Sequence, residues 1–183
     1  MTAPDALDSR RASHRRLGTV EIRRLGPGEI ELFAEFLQRL SEPSRHWFHP
    51  HGFDRATAER IVAGAEGDDN QARWLLLVRE GDREVAAGYG FLWNLRGGEP
   101  SLGIGVRDGY QDQGLGGLLM EFLLDDARRR GCRAVKLTVY DDNPRARHLY
   151  ERFGFTTRRL THHMQVDFAD LANPAPPPTK GTP

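Results

Sequence analysis

Gly114-Leu115-Gly116-Gly117 is the stretch of this chain whose residue types and spacing point most directly to chemistry. It lies between an apolar run, Leu102-Gly103-Ile104-Gly105-Val106, and a helical-period run, Leu115, Leu118, Leu119, Phe122, Leu123 and Ala127. A glycine-rich turn that opens a helix leaves backbone N–H groups free, aimed at one spot with the positive end of the helix dipole behind them. Such a spot binds anions, phosphate above all. A tight strand-to-helix turn without a ligand would use the same glycines.

Two familiar phosphate motifs do not fit. A dinucleotide fingerprint needs a further glycine where Leu119 stands, although Asp141 lies at a suitable distance to play the ribose-binding acid. A P-loop needs Gly-Lys-Ser/Thr, and no such tripeptide occurs. Gln111-Asp112-Gln113-Gly114-Leu115-Gly116 instead resembles the acyl-CoA signature Gln/Arg-x-x-Gly-x-Gly/Ala of the Gcn5-related N-acetyltransferase (GNAT) superfamily. A second block, Asn143-Pro144-Arg145-Ala146-Arg147-His148-Leu149-Tyr150-Glu151-Arg152-Phe153-Gly154-Phe155, is similar to the family's Asn-x-x-Ala-x-x-x-Tyr-x-x-x-Gly-Phe. One helix and one strand separate the two motifs, as in the family, and the resemblance spans roughly Val20 to Phe168.

The resemblance implies a catalytic scheme. The pantetheine arm of CoA would pair as a pseudo-strand with Ile104 and Val106, and the Val106 N–H would face the thioester carbonyl. A donor preplaced where charge develops contributes on the order of 3 kcal/mol to transition-state stabilisation. Gln111, Asp112, Gln113, Gly114, Leu115 and Gly116 would hold the pyrophosphate, and Asn143 would border the cofactor. Tyr150 would act as general acid on the departing CoA thiolate. In the residues themselves, Asn143, Ala146, Arg147 and Tyr150 share one helical face, and Asn143-Pro144 reads as a helix cap. The Ser101-Gly103-Gly105 face of the preceding strand is poor in side chains, which suits a close-lying ligand or backbone, or a β-bulge.

An attacking alkylammonium, with a pKa near 10, must first lose a proton. Many family members carry a glutamate on the strand before the glycine turn, and Ser101 stands at that place here. Glu99 is the first substitute, with Tyr89, Asp141 and a water chain as further candidates. The acceptor pocket is expected from the first two helices and the last strands. Arg45-His46-Trp47-Phe48-His49-Pro50-His51 lies between those helices, and its three histidines lack an adjacent acid or thiol, so no metal is expected. His162 and His163 lie on opposite faces of the last expected strand, so at most one faces the cleft.

The elements that must position these groups read as strand Thr19–Arg24, a helix over 30–40, a second from the cap Asp54 to Ala65, and strands 74–78, 85–93 and 102–106. A helix to about Arg130, strand Ala134–Tyr140, the Asn143 helix and strand Arg159–Phe168 complete the order. The expected fold is α/β (α+β), with a mixed, mostly antiparallel sheet of about seven strands. Four helices would cover both faces, and one splayed strand pair would admit CoA.

Lys+Arg and Asp+Glu both total 26 of 183 residues, so bulk charge announces neither nucleic acid nor membrane. No apolar run approaches the ~20 residues of a membrane helix, and the single cysteine, Cys132, fits a reducing compartment, with cytoplasmic as the default. Composition divides the chain into a flexible basic arm over 1–16, a single domain over 17–170 and a Pro-rich tail over 171–183. The reading is an acetyl-CoA-dependent N-acetyltransferase acting on a small-molecule or peptide amine by direct attack. Dimers are common in the family, and nothing in the letters decides that here. A non-catalytic CoA-binding module and an NAD-dependent oxidoreductase are the alternatives.

Overall fold

The computed structural model describes residues 8–157. Five strands form one antiparallel sheet in chain order: β1 (Ser9–His14), β2 (Gly18–Arg24), β3 (Gln71–Glu80), β4 (Arg83–Trp93) and β5 (Ser101–Val106). The helices are α1 (Ile30–Gln38), α2 (Glu42–Trp47), α3 (Arg55–Ala65), α4 (Leu115–Arg129) and α5 (Pro144–Arg152). Strand alternation divides the core between the two faces of the sheet. Trp74, Leu76 and Val78 of β3 pack with Leu115, Leu119, Phe122 and Leu123 of α4. Leu75 and Leu77 point the other way, into Phe33, Phe36 and Leu37 of α1 and Ala58 and Val62 of α3. The register of β3 with β4 shifts between Leu76 and Leu77, leaving Ala87 as the extra residue of a bulge.

Side-chain caps set the helix starts. Thr57 N–H donates to Asp54 Oδ1 (2.6 Å) at α3, and Ala146 N–H donates to Asn143 Oδ1 (3.0 Å) at α5, each where the sequence places a cap. Ser41 caps α2 by accepting from Ser44 N–H (3.3 Å), with Pro43 in the first turn. This short helix occupies part of a segment read as loop and makes the described α-helices five rather than four. Six residues are too few for the apolar period to register.

Among the described residues there are five strands, and the expected count of about seven is not reached there. The segment 134–140 contributes one parallel bridge, Ser101 to Lys136, and no named strand. Strand Arg159–Phe168, with His162 and His163, and the tail 171–183 lie outside the described residues. Ser9–His14, placed by composition in a loose basic arm, pairs with β2 from Ser9↔Arg23 to His14↔Gly18. Its arginines are absorbed by ion pairs: Arg10 with Asp125 of α4 (2.6 Å) and Arg11 with Glu21 (2.8 Å). No described helix is long and apolar enough to cross a membrane.

Candidate active site

The site begins where β5 loses its second neighbour. Arg107 N–H bonds Ala87 O (2.9 Å), so the odd-numbered residues of β5 turn their backbone groups toward β4. The even-numbered ones face the opposite side. There Leu102 N–H donates to Lys136 O (2.8 Å) and Lys136 N–H to Pro100 O (3.0 Å). Beyond this single bridge the two segments part, and the backbone groups of Ile104 and Val106 face the resulting gap. The Val106 carbonyl accepts from Gln111 Nε2 (3.0 Å), while no described residue pairs with the N–H of Ile104 or Val106.

The glycines of β5 serve a different purpose from the one the sequence suggests. A Cβ on Gly103 would run into the Phe91 ring, and one on Gly105 would stand 2.9 Å from Phe48 Cδ1. Aromatic side chains lie close over that face, Gly105 and Phe48 also border the cleft described below, and the bulge sits in β4. The open place is the edge of β5 beside the parted segment.

The N-terminus of α4 points into the same space. Gly114 is its cap, with φ +85° and no side-chain cap bond. Gly117 N–H is the first to find an acceptor within the turn, at Gly114 O (3.0 Å), so the N–H groups of Leu115 and Gly116 have none in the helix. Asp112 also adopts a left-handed φ of 57°, at a cost of about 1 kcal/mol for an L-residue. A cleft of about 600 Å³ gathers Ile104, Val106, Gln111, Asp112, Gly114, Leu115, Gly116, Asn143 and Tyr150 on its walls. Gln113 is not among them: its side chain donates to Gly109 O (2.9 Å), away from the cleft. The Gln111 amide is occupied as well. It donates to Val106 O and Ser44 Oγ (3.1 Å) and accepts from Arg145 Nη1 (2.7 Å), joining β5, α2 and α5 around the opening.

Helix α5 supplies the opposite wall. Asn143 and Ala146 line it, whereas Arg147, expected on the same face, borders a second hollow of about 890 Å³. Tyr150 borders both. Its ring packs on the α4 side of the core and lies 6.0 Å from Phe155. Burial pushes the phenol up to about 12, so it stays protonated at neutral pH.

None of the three expected side-chain bases, Glu99, Asp141 and Tyr89, lines the cleft. Glu99 is exposed, ion-paired with Arg133 (2.9 Å), and borders the second hollow rather than the cleft. The bond from Arg133 holds its carboxyl below the usual range. Glu99→Gln is therefore expected to leave kcat/KM within about twofold, as exposed pairs contribute little; steady-state kinetics checks it. Asp141 also borders the second hollow. Tyr89 is fully buried, accepts from Arg73 Nη1 (2.5 Å), and burial raises it to about 12, so it is a phenol and not a phenolate.

In the segment from which an acceptor pocket was expected, Trp47 and Phe48 line the cleft, with Trp47 43% exposed. His46 stacks on Tyr140 (5.4 Å), and His49 Nε2 hydrogen-bonds its hydroxyl (2.8 Å), tying this segment to the far side of the gap. His51 is wedged between Phe33 and Tyr89, and burial lowers its pKa. Among the described residues, no group of three or more metal-ligating side chains comes together.

Sequence reasoning passed over Arg145, which braces the glycine turn through Gln111 and Asp112 (3.1 Å). It also passed over Asp108, whose carboxylate accepts from Ser41 N–H and the Ser41 and Ser44 hydroxyls, all at 2.8 Å. Arg145 stands inside the second motif and could have been flagged by its charge beside a phosphate turn. The Asp108 contacts span more than 60 residues and leave no local pattern.

The Acetyltransferase (GNAT) family model matches residues 31–155, more than half of the chain. Streptothricin acetyltransferase of Streptomyces lavendulae is 36% identical over 94 residues, 50% of this chain and 49% of that protein. Mycothiol acetyltransferase of Beutenbergia cavernae is 49% identical over 53 residues, 29% of this chain and 18% of that protein. The chain thus spans about half, or less, of the length of these relatives. The GNAT domain of S. lividans PAT superposes with a TM-score of 0.70 at 19% identity, covering 85% of this chain and 92% of that one. Spermidine N-acetyltransferase from Vibrio cholerae, solved with CoA and spermine, superposes at 0.61 with 20% identity, covering 75% and 80%. At such identities the structures share a fold. The sheet with its parted edge, the glycine turn at the start of α4 and the family match agree, and the chain belongs to the acetyltransferase (GNAT) family.

Proposed function

We propose that this protein transfers an acyl group, acetyl in the first instance, from CoA to a primary amine by direct attack within a ternary complex. The observation that carries the reading is the convergence of three features on one cleft. They are the unpaired edge of β5 at Ile104 and Val106, the open N-terminus of α4, and the protonated phenol of Tyr150.

In this scheme the pantetheine arm pairs with Ile104 and Val106, and the pyrophosphate sits against the Leu115 and Gly116 N–H groups. The Val106 N–H stabilises the oxyanion of the tetrahedral intermediate. The amine nitrogen forms its bond to the acyl carbon, the carbon–sulfur bond breaks, and Tyr150 gives its proton to the thiolate. The amine enters past Trp47 and Phe48, the nitrogen's surplus proton leaves to solvent, and the Tyr150 phenolate takes a proton back from solvent, which restores the acid. The acceptor class is a small-molecule or peptide amine, in line with relatives named for streptothricin, mycothiol and spermidine.

A thermal-shift titration with acetyl-CoA, CoA, NAD and ATP tests the cofactor. Acetyl-CoA and CoA at 100 times their Kd are expected to stabilise the fold by about 2.7 kcal/mol, NAD and ATP not at all. Stabilisation by NAD, or by none of the four, would sink the reading. Release of CoA thiol with an amine panel then separates an enzyme from a module that only binds CoA.

A further inference from the structure

The N-terminal hairpin reaches the glycine turn through one side chain. His14 ends β1, and its Nδ1 accepts from the backbone N–H groups of Arg16 (3.3 Å) and Leu17 (3.2 Å). A ring nitrogen that accepts carries no proton, so in neutral His14 the proton is on Nε2. Nε2 lies 2.7 Å from the carbonyl oxygen of Gln113, which can only accept. The tautomer and the direction of the bond follow from these partners.

That bond sets the plane of the peptide joining Gln113 to Gly114. The peptide is trans, so its C=O and N–H point in opposite directions. With the carbonyl held toward His14, the Gly114 N–H must point away from the hairpin. Gly114 lines the cleft and Gln113 does not. The hairpin is itself anchored: Arg10 pairs with Asp125 of α4 (2.6 Å), and its guanidinium lies 5.4 Å from the centre of the Phe122 ring. His14 is thereby referenced to the same helix whose N-terminus it adjusts.

We infer that His14 is a positioning residue for the anion site: it holds the 113–114 peptide so that the Gly114 N–H joins those of Leu115 and Gly116 in facing the pyrophosphate of CoA. The inference rests on the CoA reading of the cleft. A glycine at φ +85° has little steric restraint of its own, so an outside bond is what keeps this peptide from turning over.

The test compares ligands with and without the pyrophosphate. ¹⁵N-labelled wild type and His14→Ala are titrated with CoA and with pantetheine, reading Kd and the Gly114 amide resonance. Loss of one preplaced donor is expected to weaken CoA about tenfold. Pantetheine affinity should stay within about twofold, the CoA-induced shift of the Gly114 amide should be lost, and His14→Gln, which keeps a donor, should recover part of the CoA affinity. Equal weakening of both ligands would reduce His14 to a general structural role and overturn the inference. Unchanged CoA affinity in His14→Ala would overturn it too. Wild type binding CoA no better than pantetheine would remove the pyrophosphate reading, and this inference with it; only that outcome touches the wild-type data.

Discussion

Tyr150→Phe is expected to lower kcat by about 10²- to 10⁴-fold while the Kd for CoA stays within about twofold. The change removes one oxygen and keeps the ring, which packs on Phe155 and the α4 core, so the wall of the cleft survives. In the proposed mechanism, what is lost is the proton for the departing thiolate. Burial that holds the phenol near 12 also ensures that the acid is fully loaded at neutral pH. It follows that kcat should show no descending alkaline limb through about pH 10, since the raised phenol deprotonates only above that. Single-turnover thiol release measured beside CoA binding checks both statements. Wild-type-like turnover in the Phe variant would remove Tyr150 from the chemistry; a parallel loss of CoA binding would make it a wall residue.

Gly114→Glu is expected to abolish measurable CoA binding, a loss of at least about 10³-fold. A carboxylate introduced at the cap of α4 brings negative charge beside the open N–H groups of Leu115 and Gly116 and, in the proposed binding mode, repels the pyrophosphate. The substitution also strains the backbone, because Gly114 holds φ +85°, where an L-residue costs about 1–2 kcal/mol. Gly114→Ala carries that strain without the charge. A Cβ there meets nothing within 4 Å, so the alanine variant should fold and bind CoA with only modest loss. The difference between the two variants, read by calorimetry at matched Tm, is the electrostatic part. Equal affinities in Ala and Glu variants would mean that no phosphate sits at this turn.

The five-strand sheet has a thermodynamic logic that bears on these variants. The core on either side of it buries large side chains completely, Trp74 and Phe122 on one face and Phe33 and Phe36 on the other. The cleft lies at the end of this packed region, where β5 has a full partner in β4 and only one bridge to the segment beyond. Gly114 stands on this rim, whereas Leu115 and Tyr150 join the cleft to the α4 core.

What the amino-acid sequence determined by itself is the part of the protein written in short-range pattern. Alternation in 102–106, the helical period after Gly114, the cap at Asp54 and the Asn143-Pro144 start each depend on neighbours within a few residues, and each stands in the structure where the letters put it. The tertiary structure decided whatever depends on partners distant in sequence. Ser9–His14 carries too little apolar surface to announce a strand, and becomes one because β2 offers an edge and Asp125 a counter-charge. Glu99, read on the strand of Ser101, stands in the bend before β5, where it pairs with Arg133 and borders the second hollow. Gln113 belongs to the motif by its letter, yet its carbonyl turns to His14, 99 residues away, and its side chain to Gly109. Local pattern limits backbone conformation because φ and ψ answer to adjacent atoms; the direction of a side chain or a single peptide plane answers to whichever distant group completes its hydrogen bond.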